Sequence, residues 1–204
     1  MEALLWHRLT MQKWYVLLIF VVCIVLTVVD FRYLSGDSGS MFPLIFSATI
    51  VESMYTQDEK VKWELFVNSL PLTKKSQLQA DFLYCYALIA LLFIFTAPIY
   101  FSQPYEDIHF TEHFALYFAK ISSAIMLICT QFYIHHLEET KGMRTLRMGV
   151  GIVLIFAINF SIHYYLSMVA ANLAVILIPT IISLIISIYV FRKCHALYVA
   201  KEIF

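Results

Sequence analysis

The chain carries little charge for its length. Only 14% of its 204 residues are Asp, Glu, Lys or Arg, against about a quarter in an average soluble domain, whereas 61% are apolar. The fourteen basic and fourteen acidic residues cancel, so the net charge gives no support to a nucleic-acid partner. This composition argues against a water-soluble globule and favours an integral membrane protein.

Sequence motifs for two common kinds of chemistry are also missing. The four cysteines are far apart and form no CxxC pair, so we interpret them as packing residues. None of the five glycines stands in a G-x-x-x-x-G-K-[ST] loop, which would wrap the phosphates of a nucleotide. We therefore expect no cofactor on this chain and no ATP hydrolysis by it.

Long apolar runs predict membrane-spanning helices, each of about 20 residues. The longest run, Met148–Phe191, would form a helix of about 66 Å, twice the thickness of the hydrocarbon core, so we divide it at the small polar segment Ser167–Asn172. The predicted fold class is an all-α integral membrane protein with a single transmembrane domain over residues 1–204. Its six spans lie near residues 14–31, 41–56, 82–101, 114–135, 149–167 and 173–191.

The basic residues predict the orientation of these spans. With the N-terminus inside, all Lys and Arg residues except Arg32 and Lys120 fall in inner segments, so both termini are expected in the cytoplasm. The first thirteen residues combine apolar with polar and charged side chains and predict a short amphipathic elbow helix on the inner interface. The apolar residues are Leu4, Leu5, Trp6, Leu9 and Met11, and the others are Glu2, His7, Arg8 and Lys13.

The inner loop at residues 57–81 is longer than a simple connection requires. Asp58 and Lys62, four residues apart, predict an ion pair on one helix, and Pro71 ends that helix. Thr73 can cap a second short helix that leads into the third span. A solvated loop with an interfacial Trp63 is the alternative interpretation.

The same loop contains four motifs in order: Asp58-Glu59-Lys60, Trp63-Glu64-Leu65-Phe66, Ser69-Leu70-Pro71-Leu72 and Lys74-Lys75. With these motifs the loop resembles the cytoplasmic loop of small six-span permeases of the type-2 ABC transporter family. Chain length, span number, the elbow and the missing nucleotide-binding motif agree with that family, and bacterial exporters of peptides and antimicrobials, including phenol-soluble modulins, are the similar members. The sequence departs from the pattern at Ala80-Asp81-Phe82, where relatives often have Lys-Tyr, and at Lys74, where Arg is common.

The resemblance implies a transport subunit of the bacterial plasma membrane rather than an enzyme. A separate cytoplasmic ATPase would bind ATP and Mg²⁺, and a second copy or a related permease would complete the path through the lipid. The scarcity of charge in the spans favours an amphipathic or hydrophobic cargo. A coupling helix in the loop would contact the ATPase through Trp63, Phe66, Leu70, Pro71, Leu72, Lys74 and Lys75.

A few polar residues inside the predicted spans are candidates for a translocation path. They are Lys120, Ser123, Asn159 and His163. Each also has a structural interpretation. Lys120 can extend its side chain to the outer surface, and Asn159 and His163, one turn apart, can form hydrogen bonds with another helix.

Two further functions stay open from the sequence. The segment His109-Phe110-Thr111-Glu112-His113 matches H-x-x-E-H, a pattern in which two histidines on one helix face hold zinc and the glutamate acts as a base. A small membrane metallohydrolase is therefore one alternative. The other is a non-transporting membrane scaffold or immunity protein, whose inner loop recruits a partner.

Overall fold

The structure, a computed structural model, describes residues 2–33, 38–63, 73–102, 110–137, 140–169 and 172–200. All regular secondary structure in these ranges is helical, which confirms the all-α prediction. The helices are α1 (Glu2–Tyr33), α2 (Ser38–Ser47), α3 (Ile50–Val61), α4 (Lys74–Phe101), α5 (Phe110–Leu137), α6 (Lys141–Val169) and α7 (Leu173–Ala200).

Five of the described helices are long and apolar enough to cross a membrane. The qualifying segments are Leu4–Leu26 of α1, all of α4, α5 and α7, and Gly142–Val169 of α6. They coincide with the first predicted span and with the third to sixth. Two helices lie on either side of the predicted division of the longest apolar run: α6 ends at Val169, and α7 begins at Leu173. The Asn172 side chain accepts a hydrogen bond from the amide of Ala174 at 2.9 Å at the start of α7.

The predicted second span, residues 41–56, is two helices instead of one. α2 ends at Ser47, whose hydroxyl donates to the carbonyl of Leu44 at 2.6 Å and so competes for a carbonyl of the last turn. The amide of Ala48 bonds to the carbonyl of Ile45 at 3.1 Å, three residues back, which tightens the chain before α3 begins. Among the described residues there are therefore five single-helix candidate spans, and the predicted second span is not one of them.

The predicted N-terminal elbow is not a separate helix either. α1 is continuous over 32 residues, or about 48 Å, so its first turns belong to the same helix as the first span. The reason lies in its buried stripe, which combines polar and apolar residues at spacings of four and seven. The stripe consists of Leu4, Arg8, Gln12, Ile19 and Cys23.

α5 is the central helix of the bundle. In its most apolar stretch 67% of the residues are buried, against 6% for α6, which lies at the periphery. The ring of Phe132 in α5 stacks on that of Phe82 in α4 with centroids 4.0 Å apart, and Tyr55 of α3 meets it edge-on at 6.0 Å. Phe82 also meets Phe191 of α7 edge-on at 5.3 Å, so this aromatic cluster joins four helices.

Candidate functional site

The helices α3 and α4 lead into and out of residues 64–72. The predicted coupling residues Phe66, Leu70, Pro71 and Leu72 lie outside the described residues, whereas Trp63, Lys74 and Lys75 are described. The ends of α3, α5 and α7 and the starts of α1 and α4 contact one another beside this segment. We call this end of the bundle the loop end.

A buried ionic contact joins three helices at the loop end. Nε of Arg8 in α1 donates to Oδ1 of Asp81 in α4 at 2.7 Å, and Nη1 donates to Oδ1 of Asp58 in α3. None of the three residues is more than 6% exposed. Burial raises the pKa of Asp58 above its usual value, and the hydrogen bond and charge of Arg8 oppose that shift. We call these three residues the Arg8 junction; it ties together the helices on both sides of the loop.

Trp63 packs directly against the junction. Its ring stacks on that of His7 with centroids 3.7 Å apart and an interplanar angle of 11°. The guanidinium of Arg8 lies 5.9 Å from the Trp63 ring, and Leu4 and Ala80 complete a small buried cluster around it. Trp63 is the last described residue before residues 64–72. Its side chain is buried against α1 and is therefore not interfacial.

The first turn of α4 is also attached to the end of α7. Nζ of Lys74 donates to the carbonyl of Tyr198 at 3.1 Å and lies 5.3 Å from the centre of the Tyr198 ring. The Tyr198 hydroxyl donates to Oε1 of Gln77 at 2.8 Å. Lys75, by contrast, is exposed. The two neighbouring lysines therefore differ: Lys74 is engaged within the bundle, and Lys75 faces outward.

Two local predictions for this region had different outcomes. Thr73 caps α4, because its side chain accepts a hydrogen bond from the amide of Ser76 at 3.2 Å, although the helix runs on into the third span without a break. The predicted ion pair between Asp58 and Lys62 is wrong. α3 ends one residue before Lys62, which adopts a left-handed conformation with φ 52°, and Asp58 pairs with Arg8 instead.

Lys120 lies inside the bundle and does not reach the outer surface. It is 1% exposed, its ammonium donates to the hydroxyl of Ser40 in α2, and it lies 4.6 Å from the centre of the Tyr100 ring in α4. These contacts satisfy a cation that would otherwise be costly in an apolar interior.

The other candidate path residues lie between α5, α6 and α7. The hydroxyl of Ser122 donates to Oδ1 of Asn159 at 2.6 Å and lies 2.7 Å from the hydroxyl of Ser183. His163, one turn along α6, is buried with Nδ1 2.9 Å from the carbonyl oxygen of Asn159. Ser123 is buried, and its hydroxyl has no hydrogen-bond partner among the described residues. The structure therefore does not bring Lys120 and Asn159 into one cluster.

The H-x-x-E-H segment is described only in part, because His109 lies outside the described residues. His113 is buried, with its ring centre 5.5 Å from that of Tyr100, and Glu112 is partly exposed. Among the residues that the structure covers, no three His, Cys, Asp or Glu side chains are placed to hold a metal ion.

Arg8, Asp58 and Asp81 were not predicted as a cluster. The sequence did carry two signals for it. Arg8 stands four residues from both Leu4 and Gln12, on what proves to be the packed stripe of α1, and Asp81 interrupts the apolar start of the third span. A charged residue on the buried face of a helix requires a partner, but one sequence does not say which residue supplies that partner.

Comparison with known proteins agrees with this architecture. A family model described as ABC-2 family transporter protein matches residues 4–192, which is nearly the whole chain and extends from the start of α1 into α7. No curated protein and no solved structure matches the chain. Members of this family are the membrane subunits of transporters and typically carry no ATPase domain of their own. With five candidate spans among its described residues, the chain is a multi-pass membrane protein that belongs to the ABC-2 transporter family.

Proposed function

We propose that this chain is the membrane-spanning subunit of an ATP-driven exporter in a bacterial plasma membrane. A separate cytoplasmic ATPase binds the loop at residues 57–81 and supplies ATP hydrolysis. The chain works with a second copy of itself or with a related permease, and the pair moves an amphipathic or hydrophobic cargo out of the cell. Membership of the ABC-2 family and the apolar surfaces of α6 and α7 support this proposal.

The observation that carries the proposed coupling is the Arg8 junction. A force applied to the loop reaches α3 and α4 together, because Arg8 holds Asp58 and Asp81 at the two ends of the loop. A buried charge left without its partner costs about 3–5 kcal/mol, so in this proposal the junction moves as one body instead of leaving its charges unpaired. Since Arg8 belongs to α1, the first span moves with it.

Lys74 and Lys75, the two neighbouring lysines of the loop, have separate roles in this proposal. Lys75 is exposed and can attract an acidic surface of the ATPase. Lys74 is engaged with Tyr198 and transmits movement of α4 to the end of α7.

Substitution of Leu70 tests the coupling. Leu70→Asp should leave the protein in the membrane but reduce ATPase activity that co-purifies with it, and ATP-dependent cargo flux into inverted vesicles, by at least about tenfold, since a charge replaces an apolar anchor. Val199→Asp, an equally drastic change at an exposed position of the loop end, is the matched control and should retain both activities. Full ATP-dependent transport by the Leu70→Asp variant would refute the assignment of this loop.

A further inference from the structure

A groove at the surface of the bundle has no role in the function proposed above. It has a volume of about 620 Å³ and lies between α3 and the first turns of α6, with the side of α1 at one end. Its lining includes Tyr15, Thr49, Glu52, Gln57, Gly149 and Ile152.

One wall of the groove is polar and belongs to α3. The residues of this wall recur every three or four positions and so lie on one helix face. They are Thr49, the N-cap residue of α3, and Glu52, Ser53, Thr56 and Gln57 within it. Glu52 is exposed and forms no salt bridge with any described residue. This wall therefore presents a carboxylate that a ligand with N–H donors would satisfy.

The facing wall, on α6, is apolar and has room for a hydrocarbon chain. Met148 and Ile152 line it, and Gly149 between them leaves a gap: a Cβ added there would meet nothing within 4 Å. A groove with acceptors on one side and an apolar surface on the other matches a ligand that is itself amphipathic.

The charge in the groove decides which polar group it takes. Lys60 also lines the groove, but it lies two turns beyond Glu52 along α3, about 12 Å away along the helix axis. A group placed beside Glu52 at hydrogen-bond distance experiences mainly the carboxylate, because the Coulomb energy falls with distance.

We infer that this groove binds amphipathic molecules with a protonated amine as head group, with the ammonium on Glu52 and the apolar chain along Met148, Gly149 and Ile152. The inference rests on the proposed export function and names the chemical class of its cargo. An ethanolamine lipid carries the same head group, and we assign the site to cargo and not to that lipid.

The test uses the purified full chain in nanodiscs of phosphatidylcholine and phosphatidylglycerol, without ATPase or nucleotide. The probes are a fluorescent dodecylamine and the matching fluorescent dodecanol, and binding is followed by fluorescence anisotropy.

Glu52→Gln should weaken dodecylamine binding about tenfold, the value of one charge-assisted hydrogen bond, and leave dodecanol binding within about twofold. Gly149→Leu should weaken both probes, because it fills the apolar wall. Glu59→Gln, the same change on the same helix outside the groove, is the control and should alter neither.

Three results would overturn the inference. The first is dodecylamine binding unchanged by Glu52→Gln, and the second is an equal loss of both probes in that variant. The third is displacement of dodecylamine by phosphatidylethanolamine at equal concentration, which would assign the groove to lipid. Because no ATPase is present in this binding test, any of these three results would leave the export proposal standing. Normal probe binding here, with no ATP-dependent flux in the vesicle assay, would instead refute export and leave the groove as a binding site.

Discussion

At the scale of single residues, Arg8 explains how a charged side chain can lie within an apolar stripe. The guanidinium is planar with several donors, so it can bind two carboxylates at once, and Asp81 and Asp58 occupy two of its nitrogens. Its position over the Trp63 ring adds a cation–π contact. One residue thus links three helices that are far apart in the sequence.

Removal of this side chain should be severe. Arg8→Gln leaves two buried carboxylates without their partner and should lower the free energy of unfolding by about 3–5 kcal/mol. Thermal unfolding in detergent, followed by circular dichroism, measures the loss. Arg192→Gln removes the same charge from an exposed position on α7 and should change the midpoint little.

A combined variant shows whether the lost stability comes from unpaired buried charges. Arg8→Met with Asp58→Asn and Asp81→Asn removes all three charges and should recover most of the lost stability, since no buried charge is left unpaired. Equal midpoints for Arg8→Gln and Arg192→Gln would show that the junction contributes nothing to the fold.

At the scale of helices, hydropathy predicted the position of five spans because each span must bury its backbone polar groups within one apolar helix. It could not predict where packing changes a helix. The break after Ser47 comes from a hydroxyl that competes for a carbonyl, and the continuity of α1 comes from Arg8 and Gln12 finding partners in Asp58, Asp81 and Tyr84. The partners of Arg8 and Gln12 lie at least 50 residues away in the sequence, so a local pattern does not contain them.

Polar contacts between the spans are weaker than the junction. Ser122 of α5 is hydrogen-bonded to Asn159 of α6 and lies beside Ser183 of α7. Ser122→Ala should lower the free energy of unfolding by about 0.6 kcal/mol, the average for hydrogen bonds between membrane helices, and by no more than about 1.7 kcal/mol, the largest value for such a bond. Ser161→Ala, at an exposed position of α6, should have no measurable effect in the same thermal assay. A loss of 3 kcal/mol or more in Ser122→Ala would mean that this contact is a major support of the fold.

At the scale of the whole molecule, the loop end differs from the peripheral helix α6. The loop end is tied by charged and aromatic contacts among α1, α3, α4, α5 and α7, whereas the peripheral helix α6 has mostly apolar exposed positions. A strongly connected end and a lipid-facing body are what a subunit needs if it receives movement at one end and passes it to whole helices.

The orientation of this asymmetry can be tested with single cysteines. The four native cysteines are all buried, so a membrane-impermeant maleimide should label the unmodified chain only weakly. Lys75 lies at the loop end and Ser102 at the opposite end of α4, and both are exposed. If the loop end faces the cytoplasm, as the distribution of basic residues predicts, Ser102→Cys should be labelled in intact cells. Lys75→Cys should be labelled only after permeabilisation. Labelling of Lys75→Cys in intact cells, with Ser102→Cys protected, would reverse the orientation and place the proposed coupling surface where no cytoplasmic ATPase can reach it.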